Sequence, residues 1–181
     1  MKLERAKTVV CVVDMQERLF QAMDREVARD VARNVAILVK GAKFLGVPVL
    51  CTQQYTKGLG ETIAEVRAEL DRPAIEKVTF SCCGTDAFNT ALMGLGAKQV
   101  VLAGMETHVC VLQTALDLLA RGYGVHVAVD AVMSRRKLAW ETGLRHMEKA
   151  GAVMTLVETV LYQLLGRAGT DEFKAILSLV R

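Results

Sequence analysis

The sequence has no apolar run long enough to span a lipid bilayer. Its longest apolar stretches, such as residues 8–13 and 99–103, are far shorter than the roughly 20 residues that a membrane helix needs. The charged start MKLERAK leads into a strand-like segment without a small-residue cleavage site, so we expect no signal peptide. With 52% hydrophobic residues, the 181-residue chain can bury a substantial core. We therefore predict a soluble, cytoplasmic protein with no membrane partner.

Long runs of one charge are also missing. The 23 lysines and arginines are interleaved with 20 aspartates and glutamates, which leaves a formal net charge of +3. The longest basic run is the three-residue stretch 135–137. A continuous basic footprint is the usual sequence sign of nucleic-acid binding, so we expect no nucleic-acid partner.

Histidine is scarce, and the cysteines show neither metal-binding nor disulfide spacing. The three histidines are dispersed and form no HxH or HExxH pattern, so a transition-metal site has few possible ligands. The cysteines are odd in number and contain no CxxC pair, which does not favour a disulfide framework. We predict no metal, and a single reactive thiol is the remaining chemical use of cysteine. The five are Cys11, Cys51, Cys82, Cys83 and Cys110.

Valine-rich apolar runs alternate with segments of helical period. Runs that are apolar on both faces are typical of parallel strands covered on both sides. Glycines follow several of the helical segments, where a left-handed cap is wanted. The alternation predicts a parallel α/β protein. Strands are predicted at 8–15, 47–54, 98–105, 124–132 and 152–158, and helices at 25–44, 61–70, 86–95, 109–121, 137–150 and 171–181.

Three side chains with complementary chemistry follow the predicted strands or lie near them. Ligands of open parallel sheets bind beyond the carboxyl ends of the strands. Asp14 lies at the end of the first strand, and Cys110 follows the strand that begins near residue 99. Lys77 lies in the stretch IEKVTFS before the helix near residue 86. Together they supply an acid–base group, a cation and a nucleophile. A helix start at Cys110 and a nearby Lys77 predict a lowered pKa for its thiol.

Each of these residues also has a plain structural interpretation. Cys110 fits a buried core cysteine, since free cysteine is among the most buried residue types. Asp14 fits a cap of the following turn, and Lys77 fits a surface lysine. Position alone leaves these alternatives open.

Three motifs in order resemble the isochorismatase-like cysteine hydrolases. They are VVDMQ at 12–16, EKVTFS at 76–81 and GMETHVCV at 104–111. The resemblance covers most of the chain and implies one isochorismatase-like hydrolase domain at 1–181. It also implies a three-layer Rossmann-like α/β fold with a central parallel sheet and helices on both faces. The implied catalytic triad is Asp14, Lys77 and Cys110, with a cis peptide bond between Met105 and Glu106.

Two differences from the family pattern restrict which activities of the family the resemblance implies. Family nicotinamidases carry an Asp and a His after the second strand, where this chain has Thr52, Gln53, Gln54 and Tyr55. The resemblance therefore does not extend to a metal-binding nicotinamidase. True isochorismatases lack the nucleophilic cysteine, so Cys110 points away from vinyl-ether cleavage.

The predicted function is hydrolysis of a small amide-type C–N bond through a thioester on Cys110. The backbone N–H groups of Glu106 and Cys110 are the candidates for the oxyanion hole. A small, partly apolar substrate pocket is predicted around Phe20, Gln53, Tyr55 and Phe80.

Two other classes remain as alternatives. A catalytically silent scaffold or regulatory partner would keep the fold and use its surfaces. A flavin- or nucleotide-binding module shares the α/β pattern, but VVDMQERLF stands where a glycine-rich fingerprint would follow the first strand. We therefore predict no cofactor.

The apolar composition also predicts self-association. A domain of this size does not require 52% hydrophobic residues for its own core. We expect a closed homo-oligomer, which the family resemblance also implies. The candidate interface residues are Leu112, Leu116 and Leu119, together with Leu161, Leu164, Leu165, Phe173 and Ile176.

Overall fold

A computed structural model describes residues 1–181 and contains six strands and nine α-helices. The strands are β1 (Thr8–Val13), β2 (Val49–Gln54), β3 (Ile75–Lys77), β4 (Gln99–Met105), β5 (Gly124–Met133) and β6 (Val153–Thr155). The longer helices are α2 (Arg25–Phe44), α5 (Asp86–Gly94), α6 (Leu112–Ala120), α7 (Lys137–Lys149), α8 (Val157–Leu165) and α9 (Asp171–Val180). Three short ones are α1 (Glu17–Gln21), α3 (Thr56–Leu59) and α4 (Ala64–Arg67).

All six strands belong to one parallel sheet. Its spatial order is β3-β2-β1-β4-β5-β6, and every neighbouring pair runs in the same direction. The order reverses between β1 and β4, which is the kind of switch point where α/β proteins bind ligands. The predicted three-layer Rossmann-like fold is therefore confirmed.

The helices cover both faces of the sheet, and β1 contributes to both buried layers. Val10 and Val12 belong to a cluster of 29 buried residues beneath α2, α8 and α9. Val9, Cys11 and Val13 belong to a second cluster of 20 residues beneath α5, α6 and α7. Alternate side chains of a strand point to opposite faces, so a strand covered on both sides reads as a continuous apolar run.

Helix α2 occupies the predicted residues because both of its ends are marked locally. The Asp24 carboxylate accepts hydrogen bonds from the backbone N–H groups of Glu26 and Val27, which have no partner within the helix. Beyond the last turn, Gly46 has a φ of +68°, and glycine adopts this left-handed conformation without steric cost.

Several elements differ from the sequence predictions, three of them near the site or the end of the sheet. The predicted strand at 152–158 stops at Thr155, because the Asp130 carboxylate accepts hydrogen bonds from the Val157 N–H and α8 begins there. The predicted helix at 61–70 is reduced to the four residues of α4. β3, which carries Lys77, was not predicted as a strand. It pairs only with β2, over three residues.

The structure also bears on disulfide bonds and on membrane-spanning helices. All five cysteines are free thiols, as the odd count and the spacing predicted. No helix combines the length and the apolar character needed to cross a membrane.

His126 is a buried polar side chain without a partner. It lies on β5, is fully buried, and neither ring nitrogen has a hydrogen-bond partner. Burial lowers the pKa of His126, and the positive N-terminal amine lowers it further. The folded protein therefore keeps this ring neutral at a pH where the unfolded chain already takes up a proton.

This difference predicts acid-sensitive stability. Below about pH 6.5 the unfolded state binds a proton that the folded state does not, so the free energy of unfolding should fall by up to about 1.4 kcal/mol per pH unit. His126→Leu should remove this dependence. Urea unfolding at pH 7.5 and pH 5.5 measures it. An equal loss of stability in both proteins on acidification would contradict the assignment to His126.

Candidate active site

Asp14 follows β1 at the carboxyl edge of the sheet and is completely buried. Its backbone adopts a φ of +48°, and its N–H donates to the carbonyl oxygen of Thr52 on β2. The Thr52 hydroxyl in turn donates to Asp14 Oδ1 at 2.8 Å. The neighbouring strand thus fixes both the backbone and one carboxylate oxygen of Asp14.

Lys77 at the end of β3 supplies the counter-charge. Its Nζ lies 2.7 Å from Asp14 Oδ2, and neither side chain is exposed. The same ammonium donates to Gln54 Oε1 at 2.7 Å and to the carbonyl oxygens of Thr79 and Phe80 at 3.1 and 3.0 Å. A buried charge needs such a set of partners, so the surface-lysine interpretation of Lys77 does not hold.

Cys110 lies on a π-helical turn, Thr107–Val111, that runs into α6. Its residue surface is 6% exposed. Burial raises the pKa of the Cys110 thiol to about 12, the charge of Asp14 and a hydrogen bond to Asp14 raise it as well, and Lys77 acts in the opposite direction. The resting group is therefore a neutral thiol. The predicted lowering of its pKa is wrong, because burial and the nearby carboxylate outweigh the ammonium.

The turn that carries Cys110 begins at a close contact between β4 and β1. Gly104 has a φ of +115°, and a Cβ there would lie 2.0 Å from the carbonyl oxygen of Val13, so only glycine fits. The following Met105–Glu106 peptide bond is cis, as the family resemblance implied.

Glu106 offers a free backbone donor beside this turn. Its N–H donates to no acceptor in the protein, while its side chain is almost fully buried and paired with Arg135 after β5. Glu106 Oε2 accepts hydrogen bonds from the backbone N–H and the Nε of Arg135, both at 3.1 Å. The loop after β5 thereby anchors the residue whose N–H is a predicted oxyanion donor.

Two of the four predicted pocket residues lie beside Lys77. The Tyr55 N–H donates to the Lys77 carbonyl oxygen at 2.9 Å, and the Phe80 carbonyl accepts from the Lys77 ammonium. Both aromatic side chains are more than half exposed. They therefore stand at the surface next to the buried ion pair.

Gln53 and Phe20 are not brought to this site. Gln53 lies on the same face of β2 as Cys51, which packs in the 29-residue cluster, whereas Cys110 packs in the cluster on the opposite face. The Gln53 amide donates to the Thr62 hydroxyl at 2.9 Å instead. Phe20 packs against the 29-residue cluster and lines a separate cavity with α2. The structure therefore packs both residues with the cluster on the face opposite to Cys110, and their binding of substrate stays a prediction.

Sequence reasoning missed the polar side chains that support the triad. Thr52 and Gln54 were noted at the end of the second strand but given no role, although they bind Asp14 and Lys77. The buried Gln16 braces β2, because its amide accepts from the Gln54 N–H at 2.7 Å and donates to the Gln54 carbonyl at 3.0 Å. The two-residue period of β2 was the available signal, since it separates Thr52 and Gln54 from Gln53.

No group of three or more His, Cys, Asp or Glu side chains is arranged to hold a metal ion. The oxygen atoms around Lys77 Nζ already accept hydrogen bonds from the ammonium group. The chemistry available at this edge is that of a carboxylate, an ammonium and a thiol.

The fold and the site define a parallel α/β protein with an acid–amine–thiol cluster at the carboxyl edge of its sheet. The chain belongs to the isochorismatase-like hydrolase family: the model of the isochorismatase domain matches residues 8–159. It is 40% identical over 177 residues to isochorismatase domain-containing protein 1 of Salmo salar, covering 97% of this chain but 62% of the salmon protein. The secreted isochorismatase effector Isc1 of Phytophthora sojae is 38% identical, with coverage of 96% and 84%. The predicted cytoplasmic location therefore stays a prediction.

Solved structures share the whole architecture. A structure described as the MAR1 ribonuclease from Caenorhabditis elegans is 33% identical, with a TM-score of 0.93 over 99% of this chain and 92% of that one. YcaC from Pseudomonas aeruginosa, described with hexane-2,5-diol and covalent acrylamide, is 25% identical, with a TM-score of 0.91 over 98% and 91%.

Proposed function

We propose that the chain is a cysteine hydrolase that cleaves a small amide-type C–N bond through a thioester on Cys110. The observation that carries the proposal is the buried Asp14–Lys77 ion pair, beside the buried Cys110 thiol whose pKa Asp14 raises. A carboxylate held in this way is placed to take the thiol proton when a substrate carbonyl arrives.

Asp14 accepts and donates the proton in each step of the proposed reaction. Cys110 Sγ attacks the carbonyl carbon as its proton passes to Asp14, and the N–H groups of Glu106 and Cys110 stabilise the oxyanion. The protonated Asp14 then gives the proton to the leaving amine. A water molecule loses a proton to Asp14 and attacks the thioester, and Asp14 returns that proton to the Cys110 thiolate. Lys77 balances the charge of Asp14 whenever Asp14 is ionised.

The covalent acrylamide in the Pseudomonas protein supports a nucleophile in this fold. Acrylamide is both a small amide and an electrophile that reacts with thiols. We infer that Cys110 is the corresponding nucleophile here. Because Tyr55 and Phe80 are the exposed aromatic residues beside Lys77, we propose that they border the entrance for a compact amide or carbamoyl compound.

A panel of small amides and carbamoyl compounds tests the proposal. Release of ammonia or amine should accompany an acyl adduct that peptide mapping assigns to Cys110. Cys83 is the matched control, because it is equally free and buried but contacts none of the triad. An adduct on another cysteine with Cys110 unmodified would contradict the proposed site. No turnover and no adduct with any compound would favour the silent-scaffold alternative.

We also propose that the protein is a homo-oligomer, with a corrected interface. Leu161, Leu164, Leu165 and Ile176 are buried in the chain's own core. Leu112, Leu119 and Phe173 are partly buried against that core, and Leu116 is partly buried as well, so most of the predicted interface already packs within the chain. Other large apolar side chains stay exposed, including Val78 at 76%, Leu138 at 71% and Met93 at 67%. Light scattering at micromolar concentration should give a multiple of 19.8 kDa. A mass near one chain that persists on concentration would contradict oligomerisation.

A further inference from the structure

A second charged feature lies away from the triad, along the exposed side of α2. Arg25, Arg29 and Arg33 line one open cavity of about 810 Å³ whose floor includes alanines of the same helix. Glu65 of α4 and Phe20 of α1 complete the walls. We call this cavity the α2 groove.

The three arginines of the α2 groove have no partner in the protein. None forms an ion pair with a carboxylate, and none donates a side-chain hydrogen bond. By contrast, Arg5, Arg121 and Arg135 each donate a side-chain hydrogen bond to another residue. Like charges four residues apart on a helix repel one another. The repulsion among these three arginines decreases when anions bind between them.

The spacing of the row fits a ligand with several separate anionic groups. Four residues of helix correspond to about 6 Å of axial rise, so the guanidinium groups follow one another at single-turn intervals. Arginine is the side chain that binds phosphate through paired N–H donors. Compact di- or triphosphate groups would occupy only part of the row, whereas an extended phosphodiester chain can meet each arginine with a different phosphate.

Phe20 adds a feature that a purely ionic site does not need. Its half-buried ring lies at the groove, and aromatic side chains beside basic grooves stack bases of single-stranded nucleic acids without sequence preference. We propose that the α2 groove binds a single-stranded nucleic-acid backbone through Arg25, Arg29 and Arg33, with a base stacked on Phe20. This site is separate from the triad and does not depend on the proposed hydrolysis.

The linear sequence conceals this row. Glu26 and Asp30 lie between the arginines, so residues 25–33 carry little net charge when read in order. The helical period nevertheless brings the three arginines to one cavity, whereas Asp30 lines a different one, beside Asp130 and Asn34. The expectation of no nucleic-acid partner was based on contiguous basic runs, and such runs do not reveal a basic face of a helix.

Binding of a labelled ten-residue oligo(U) and oligo(dT) to the intact protein tests the proposal. Both should bind, because a backbone site does not read the 2′-hydroxyl. The logarithm of the affinity should fall with the logarithm of the salt concentration, with a slope of about −2 for three phosphates. Arg29→Gln should weaken binding about tenfold and make the slope shallower by about 0.7. Glu65→Gln should strengthen binding.

Two controls separate the groove from net charge and from catalysis. Arg145→Gln removes the same charge from the exposed surface of α7 and should leave the affinity unchanged, and Cys110→Ala should bind like the unmodified protein. Equal weakening by Arg145→Gln and Arg29→Gln would overturn the groove assignment. So would the absence of oligonucleotide binding at 20 mM salt, even if inorganic polyphosphate bound.

Discussion

Replacing Cys110 by Ala or Ser should reduce turnover of any amide substrate by about 10⁴-fold or more, as loss of the nucleophile does in other covalent hydrolases. Serine places a hydroxyl at the same position, but Asp14 is a weak base toward an alcohol, so the oxygen nucleophile should not restore the rate. Initial rates and the mass of the trapped acyl-enzyme measure both effects.

The matched variant for this test is Cys83→Ala. It removes a buried thiol that lies on the same side of the sheet but does not contact Asp14 or Lys77, so it should retain nearly full activity. Normal turnover by Cys110→Ala would show that the reaction proceeds without a thioester on this residue.

Replacing Lys77 by Met should lower the free energy of unfolding by about 3–5 kcal/mol. The change leaves the Asp14 carboxylate in a fully buried position without its counter-charge, and an isolated buried charge is strongly unfavourable. The double variant Asp14→Asn/Lys77→Met should regain part of this loss, because the remaining amide carries no charge. Urea midpoints of the single and double variants give the coupling between the two residues.

An exposed ion pair with the same N–O distance serves as a control. Lys43 Nζ lies 2.7 Å from Asp71 Oδ1, but the two side chains are 30% and 70% exposed. Lys43→Met should therefore cost no more than about 1 kcal/mol. If Lys77→Met and Lys43→Met had equal effects, burial would not be what makes the Asp14–Lys77 pair important.

The sequence predicted the parts of the fold that depend on local pattern. Valine-rich runs marked most of the strands, and glycines such as Gly46 marked where helical segments end. The segment at Val157 was misjudged because α8 is apolar along its buried residues, and a short apolar run does not distinguish a strand from a buried helix. The decisive contact there is the hydrogen bond from the Val157 N–H to the Asp130 carboxylate, which joins residues 27 positions apart.

At the site, too, local sequence identified some residues, whereas other properties depend on residues that are distant in the sequence. Asp14 and Cys110 could be identified because they follow strands that meet at one edge. Gln53 was chosen over Gln54 because two adjacent glutamines look alike until the pleat of β2 assigns each to a face. The pKa of Cys110 could not be judged from the helix start, because it depends on burial and on Asp14, which is distant in the sequence.

Lys77 occupies the least secure position in the sheet. β3 is an edge strand that pairs with a single neighbour over three residues, whereas Asp14 follows β1, which has β2 on one side and β4 on the other. Edge elements with few pairings open locally at lower free energy than the core strands. The ammonium is thus the most easily detached member of the cluster, and release of this one edge would switch off the chemistry in molecules whose core is still intact.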